Sequence, residues 1–208
     1  MSIFIYEKRN SISSELCNKI IEYYEGEENK YSGFTAKGLD ENVKKTTDFS
    51  IPLNCFENND EKINKWSKIN ELLTSQLQEN INEYMNSLKE HPNYVSDNYK
   101  FLYAKYLTED TYQIQKYTKG EGKYVYHEDS FVDWENERYR VITFLWYLND
   151  VLEGGETELL GDILIKPETG KLLLFPACWT FPHRGKMPIS NDKYIITGWF
   201  YVNRNEDG

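Results

Sequence analysis

Residues 124–129 read Tyr-Val-Tyr-His-Glu-Asp, and this short segment decides how the rest of the chain is interpreted. Residues two positions apart on a β-strand face the same way, so His127 and Asp129 can present an imidazole and a carboxylate to one ion. A second histidine, His183, follows after several more strand-like segments. Two imidazoles and one carboxylate form the ligand set of a non-haem Fe(II) site with open positions. A His-x-Asp pair is also common on protein surfaces, and the spacing by itself leaves both interpretations open.

The last strand-like segment adds a cation. Alternation along residues 193–203 places Lys193, Thr197 and Trp199 on one face, and no acidic residue shares that face. A buried ammonium is costly unless it is paired, so the far carboxylate of a small diacid cosubstrate is the expected partner, with Thr197 as a further donor. Tyr147 can donate to the same carboxylate, and Tyr117 can reach the cosubstrate near the metal. Two alternatives to a cosubstrate pocket stay open: Lys193 is a surface residue, and the tyrosines are ordinary core aromatics.

Length and composition favour one soluble domain. The chain has 208 residues, which fits a single domain at residues 1–208. We expect residues 1–95 to supply helical support and the first strand, and residues 96–203 to form the catalytic part. The aromatic content of 15% favours a sheet-rich core. The net charge of −10 argues against a nucleic-acid partner, which would require a basic face.

The same sequence contains no sign of an oxidising compartment or a membrane. Three cysteines (Cys17, Cys55 and Cys178) are widely spaced and odd in number, which suggests neither a disulfide framework nor a zinc site. The first ten residues lack the apolar core of a signal peptide, and no run approaches the roughly 20 apolar residues of a membrane span. These features predict a cytoplasmic protein without a membrane partner.

Hydrophobic periodicity predicts two helices followed by many strands. Apolar residues at spacings of three and four indicate helices over Ser11–Glu25, capped by Ser13, and over Glu61–Lys89. Glycine-rich and polar turns separate short segments with strand character. These segments are Val43–Leu53, Tyr99–Leu107, Tyr112–Tyr117, Tyr124–Asp129, Arg140–Asn149, Glu156–Leu159, Ile163–Lys166, Lys171–Phe175 and Lys193–Asn203. Helices followed by strands predict a mainly β fold with N-terminal helices, in which α-helices support a β-sandwich or jelly-roll core.

The segment from Ser130 to Arg138 is long for a hairpin, and it is polar apart from three hydrophobic residues. We expect either a mobile lid over the substrate or a plain surface loop.

At this point the chain from about Gln113 to Tyr201 resembles the catalytic region of prolyl 4-hydroxylases in the 2-oxoglutarate/Fe(II) oxygenase superfamily. The matching pieces are Tyr117, a glycine-rich turn, Tyr124-x-x-His127-x-Asp129, the strand Arg140–Asn149, Gly154-Gly155-Glu156-Thr157, Pro167-x-x-Gly170-x-x-x-x-Phe175-Pro176, His183, and Lys193-Tyr-Ile-Ile-Thr197-x-Trp199.

The resemblance implies a double-stranded β-helix in which His127, Asp129 and His183 hold Fe(II). It also implies that 2-oxoglutarate chelates the metal and that Lys193 binds its C5 carboxylate, with O₂ as cosubstrate and ascorbate as a reductant. Tyr117, Tyr147 and Thr197 are implied to contact 2-oxoglutarate, and Leu145 to line its pocket. Arg140 and Trp199 fall where such enzymes meet the peptide. The oxygen-sensing branch usually has Arg at the position of Lys193, whereas the collagen-type and many microbial enzymes have Lys.

The implied activity is hydroxylation of prolyl residues in a peptide or protein, with release of succinate and CO₂. Two alternatives stay open: hydroxylation of a free amino acid or another small molecule, and a non-catalytic metal-binding jelly-roll module.

Overall fold

The computed structural model describes residues 2–52, 61–91 and 107–203. Within these ranges the chain forms two helices, α1 (Ser14–Glu25) and α2 (Glu61–Lys89), and fourteen strands. In chain order the strands are β1 (Tyr6–Lys8), β2 (Tyr31–Ser32), β3 (Lys44–Lys45), β4 (Thr47–Ser50), β5 (Leu107–Glu109), β6 (Gln113–Tyr117), β7 (Lys123–His127), β8 (Val132–Asp133), β9 (Arg138–Tyr147), β10 (Thr157–Leu159), β11 (Ile163–Ile165), β12 (Leu172–Pro176), β13 (His183–Gly185) and β14 (Lys193–Asn203).

The strands form two antiparallel sheets. The larger sheet has the order β1-β12-β9-β14-β6-β4-β2, with β5 paired to β14 and β8 paired to β9. The smaller sheet has the order β11-β10-β13-β7-β3. Strands that are distant in sequence, such as β9 and β14, are therefore neighbours in space. This arrangement is the jelly roll, or double-stranded β-helix, and the predicted fold class is confirmed.

Alternation along β9 separates two hydrophobic cores. Phe144 and Trp146 face the helices, where they pack in one cluster with residues such as Ile20 of α1 and Leu77 of α2. Leu145 and Tyr147, which alternate with them along the strand, face the other way, into the space between the sheets. The second half of β9, residues 142–147, is buried on both faces and is apolar apart from Thr143, as is typical of central strands. The helices thus cover the back of the larger sheet and leave its front free for a site.

Both predicted helices are present, but α1 begins at Ser14 and not at Ser11, because Ser13 is its N-cap. The side chain of Ser13 accepts a hydrogen bond from the backbone N–H of Leu16, which caps the N-terminus of α1. Cys17, Ile20 and Tyr24 are the buried residues of α1. The bounds of α2 coincide with the predicted ones. No helix within the described ranges is long and apolar enough to cross a membrane.

Some strand predictions need correction. The segment Val43–Leu53 was expected to be one strand, but it forms β3 in the smaller sheet and β4 in the larger sheet. The chain crosses between the sheets at Thr46, where a buried ion pair of 2.7 Å joins Lys44 to Asp48. The glycine-containing polar stretch at residues 26–38, where the sequence pattern favours a loop, contains the short strand β2.

The predicted lid segment is a hairpin, since β8 pairs with the start of β9. The side chain of Asp133 closes its turn by accepting from Asn136 and Arg138. The strand expected at residues 99–106, the turn expected at residues 54–60 and the proposed division near residue 95 lie outside the described residues.

Candidate metal centre

A cavity of about 720 Å³ lies between the two sheets. His127, Asp129 and His183 line one part of it, and Lys193 lines another. The inward side chains of β14, β9 and β6 form one wall, and β7 and β13 form the opposite wall. A volume of this size is typical of sites for small molecules.

Two of the three proposed ligands are brought together by strand pairing. In the antiparallel pair of β7 and β13, His183 lies directly opposite His127, and their ring centroids are 4.2 Å apart. Asp129 follows the end of β7 and turns its carboxylate toward both rings. Its Oδ1 lies 3.8 Å from Nε2 of His127, and its Oδ2 lies 3.4 Å from Nε2 of His183. One ligand atom from each of the three residues lies within 4.8 Å of the others, which fits a single metal ion.

Backbone contacts fix the tautomer of both imidazoles. Nδ1 of His127 lies 2.8 Å from the carbonyl oxygen of Val125, and Nδ1 of His183 lies 3.2 Å from that of Phe181. A carbonyl oxygen only accepts hydrogen bonds, so each Nδ1 carries a proton and Nε2 is the nitrogen that faces the cluster. Burial and the neighbouring His183 lower the pKa of His127 to about 4, which keeps its ring neutral. Both features suit metal ligation.

The remaining ligand, Asp129, is held as a carboxylate. Burial by itself raises its pKa, but the two imidazoles and a hydrogen bond from Thr143 outweigh burial, so the pKa lies below its ordinary value. The Thr143 hydroxyl donates to Oδ2 over 2.7 Å. The indole Nε1 of Trp199 also contributes to the low pKa, yet it is buried without a well-formed hydrogen bond to any described residue.

Lys193 is the buried cation of the site. It is 0% exposed, and its Nζ lies 4.7 Å from the ring centroid of Tyr117 and 5.6 Å from that of Tyr147. No carboxylate of the described residues lies within ion-pair distance of it; Glu156 acts on it only at longer range. Burial, opposed in part by Glu156, lowers the pKa of Lys193 to about 7. A fully buried ammonium without a counter-ion fits a carboxylate that arrives with a bound molecule.

The other predicted cosubstrate residues lie around Lys193. Tyr117 is its direct neighbour on β6, and Tyr147 is the direct neighbour of Ile195 on β9. The hydroxyl of Tyr147 donates to Thr157 over 2.7 Å. Thr197 and Leu145 are paired on β14 and β9, and both line the cavity. The Thr197 hydroxyl already donates to a backbone carbonyl over 3.0 Å, so contact with a carboxylate would require it to rotate.

The two predicted substrate residues lie together in the wall of the cavity. The Arg140 guanidinium lies 3.6 Å from the ring centroid of Trp199.

Sequence reasoning missed several residues that support the site. Thr143 holds Asp129, Thr157 accepts from Tyr147, and Gln115 accepts from the hydroxyl of Tyr117 over 3.2 Å. Alternation along β9 did place Thr143 with Leu145 and Tyr147, but nothing in the sequence pattern indicated its partner. The strand β13, which carries His183, was also missed because its sequence, His-Arg-Gly, contains none of the β-branched residues that indicate a strand.

Comparisons with known proteins agree with this site. Residues 112–201 match the profile of the family described as the 2OG-Fe(II) oxygenase superfamily, a little under half of the chain. A search of curated protein sequences gave no significant match.

Solved structures share the fold over nearly the whole chain. A viral collagen prolyl hydroxylase from Paramecium bursaria Chlorella virus-1, solved as a 2OG complex, is 18% identical, with a TM-score of 0.61 over 96% of this chain and 96% of that one. A Pseudomonas putida prolyl-4-hydroxylase is 15% identical, with a TM-score of 0.61 over 95% and 92% of the two chains. A Trichoplax adhaerens prolyl hydroxylase, solved with a hypoxia inducible factor peptide fragment, is 18% identical, with a TM-score of 0.67 over 97% and 84%. Residues 112–201 are therefore similar to the 2OG-Fe(II) oxygenase superfamily, and the chain as a whole shares its fold with prolyl hydroxylases.

Proposed function

We propose that this protein is an Fe(II)- and 2-oxoglutarate-dependent dioxygenase that hydroxylates prolyl residues in a peptide or protein. The observation that carries the proposal is the convergence, in one cavity, of a His-Asp-His cluster with an unpaired, fully buried lysine. When bound, Fe(II) and 2-oxoglutarate supply the oxidative decarboxylation that activates O₂ for C–H hydroxylation and yields succinate and CO₂.

The metal would be held by Nε2 of His127, Nε2 of His183 and the carboxylate of Asp129. Each imidazole is oriented by its Nδ1 hydrogen bond to the backbone, so its lone pair is already directed into the cluster. Thr143 holds the carboxylate of Asp129 in its ionised form. These contacts position the ligands before an ion binds, which lowers the cost of reorganisation.

The cosubstrate would place its C5 carboxylate against Lys193. Because the ammonium is buried among the rings of Tyr117 and Tyr147, water does not screen the attraction, and the ion pair would be stronger than at the surface. Tyr147 can turn its hydroxyl from Thr157 to the carboxylate, and Leu145 closes the apolar side of the pocket. Tyr117 and Thr197 complete the contacts that we assign to 2-oxoglutarate.

The substrate that we favour is a peptide or protein with proline, because the structures with the same fold include prolyl hydroxylases and one of them holds a peptide. Arg140 and Trp199, together in the cavity wall, are assigned to substrate contact. We further propose ascorbate as a reductant, a cytoplasmic location, and no nucleic-acid or membrane partner.

The test is succinate formation from 2-oxoglutarate and Fe(II), with and without a proline-rich peptide. We expect peptide-stimulated succinate and an added hydroxyl on the peptide by mass spectrometry. Asp129→Ala should abolish both and weaken retention of Mn(II), a redox-inert stand-in. Its matched control is Glu128→Gln, since Glu128 is exposed and accepts only from the Ser130 backbone in this turn.

Each contrary result has a definite meaning. Succinate formation that peptides leave unchanged would favour a free amino acid or another small substrate. No turnover with any substrate, despite metal binding, would favour a metal-binding module. An Asp129→Ala variant with wild-type metal retention would remove Asp129 from the ligand set.

A further inference from the structure

Arg140 differs from the other arginines of the described residues. Arg9, Arg138 and Arg184 each form a salt bridge of 2.6 to 2.9 Å with an aspartate or glutamate. Arg140 forms no salt bridge with any residue in the described ranges, although the chain carries a net charge of −10. In a protein with so many carboxylates, a guanidinium that lacks one requires an explanation.

Aromatic rings hold this guanidinium in place. It lies 3.6 Å from the ring centroid of Trp199 and 4.7 Å from that of Phe131. Its Nε donates to the hydroxyl of Tyr201 over 3.0 Å. Among the residues that the structure describes, only Nε of Arg140 has a hydrogen-bond partner, so both terminal nitrogens keep their N–H groups for another acceptor. Stacking already restricts the side-chain rotamers of Arg140, so binding costs little further conformational entropy. The two terminal N–H groups of a guanidinium match the two oxygens of a carboxylate.

The position of Arg140 connects it to the metal cluster. Arg140 lines the same cavity as Asp129, and its stacking partner Trp199 is paired on the neighbouring strand with Thr143, which holds Asp129. A group bound by Arg140 therefore lies beside the cluster on the side of Trp199. Lys193 also lines this cavity without a salt bridge to any described residue; it is fully buried, and the proposed cosubstrate uses it.

The two other lysines that line the cavity do not offer the same chemistry, and one of them, Lys37, is exposed to solvent. Lys44 is buried in the wall, but Asp48 neutralises it at 2.7 Å. Its charge is compensated inside the protein, whereas that of Arg140 is not.

We propose that Arg140 is the receptor for a carboxylate of the substrate. This inference rests on the proposed function and deepens it, because it makes the substrate an anion at a fixed position next to the reacting carbon. An acidic side chain that flanks the target residue of a peptide and the α-carboxylate of a free amino acid offer the same chemistry. Arg140 is thus a specificity-determining residue, and a neutral collagen-like peptide would be a poor substrate.

The experiment compares matched substrates that differ only in charge. The peptide probes are proline-containing peptides with Asp or Glu at one flanking position, each beside its Asn or Gln counterpart. The small-molecule probes are L-proline and L-prolinamide. KM and kcat are measured from succinate and hydroxylated product, and binding is measured by calorimetry on the Mn(II)- and 2-oxoglutarate-loaded protein. We expect at least one acidic probe to bind about 10-fold or more tightly than its amide counterpart. In the kinetic assay the difference should appear chiefly as a lower KM.

Variants assign the preference to Arg140. Arg140→Gln should abolish the preference for the acidic probe and leave 2-oxoglutarate binding unchanged. Arg138→Gln is the matched control: it lies on the same strand and stacks on Tyr201 at 4.2 Å, but its charge is paired with Asp110 and Asp133. It should keep the preference. Arg140→Glu should reverse it, so that a peptide with Lys at the flanking position becomes the better ligand.

Equal affinity for acidic and neutral probes, or binding of none of them, would overturn the role of Arg140, and so would a preference that survives in Arg140→Gln. These outcomes differ from failure of the proposed function. If the protein forms no succinate under any condition, the oxygenase activity fails, while calorimetry on the acidic probes still decides the role of Arg140.

Discussion

The affinity for 2-oxoglutarate should fall as the pH rises through the pKa of Lys193. In the free protein, burial lowers this pKa to about 7. A bound carboxylate favours the ammonium form and returns the pKa toward its ordinary value of about 10.4. Above neutral pH the complex therefore holds a proton that the free protein has released. Binding then requires proton uptake, so a higher pH weakens it.

The size of the effect follows from the fraction of ammonium in the free protein. About half of the Lys193 side chains are charged at pH 7 and about one in a hundred at pH 9, if the pKa is near 7. The apparent affinity should then drop about 50-fold over this range, which corresponds to about 2.3 kcal/mol. Both carboxylates of 2-oxoglutarate are ionised throughout, since ordinary carboxyl pKa values lie near 4.

The assay is a calorimetric titration of the Mn(II)-loaded protein with 2-oxoglutarate at several pH values in buffers of different ionisation enthalpy. The buffer dependence reports proton uptake directly, and uptake should approach one proton per site toward pH 9. Lys193→Arg is the control, because a guanidinium stays charged across the range. The affinity of this variant for 2-oxoglutarate can differ from that of the wild type at pH 7, but it should not change with pH between pH 7 and pH 9.

Two results would refute this reasoning. A wild-type affinity that stays constant between pH 7 and pH 9 would mean that the pKa of Lys193 in the free protein is not lowered. A Lys193→Arg variant with the same slope as the wild type would mean that another group takes up the proton.

Two further predictions concern the surroundings of the site. Thr143→Val removes the hydroxyl that donates to Asp129 over 2.7 Å, so Mn(II) affinity should weaken about 10- to 100-fold in a metal titration. Thr108→Val, which changes a threonine on β5, should leave the affinity unchanged, and an equal loss in both variants would contradict a specific role for Thr143. Lys44→Met and Asp48→Leu should each lower the free energy of unfolding by about 3–5 kcal/mol, because each leaves one buried charge unpaired. The double variant should recover most of this loss in urea unfolding, and strictly additive losses would show that the pair is not the cause.

Periodicity in the sequence predicted most of the elements. The bounds of α2 follow from apolar residues at spacings of three and four, and Ser13 was correctly predicted as the cap of α1. The alternation along β14 placed Lys193 and Thr197 on the same inward face, and the structure has both in the cavity wall. These patterns are local, and the sequence contains them in full.

Elements that depend on pairing were not predictable in the same way. The strand β13 is three residues long and exists because β7 and β10 lie on either side of it. The division of residues 44–50 between two sheets depends on which strands offer a free edge at each point. Neither the pairing of β13 nor the change of sheet between β3 and β4 produces a hydrophobic periodicity in the sequence.

By itself, the sequence determined the types of group available: two histidines, one aspartate and one lysine at positions that alternation can turn inward. Only the tertiary structure decided that His183 lies opposite His127, that Lys193 is fully buried without a counter-ion, and that Arg140 alone among the described arginines lacks a carboxylate. The physical reason is that the charge state and the pairing of a side chain depend on desolvation and on neighbours from distant strands. Those neighbours are set by the closure of the two sheets rather than by the residues adjacent in the chain.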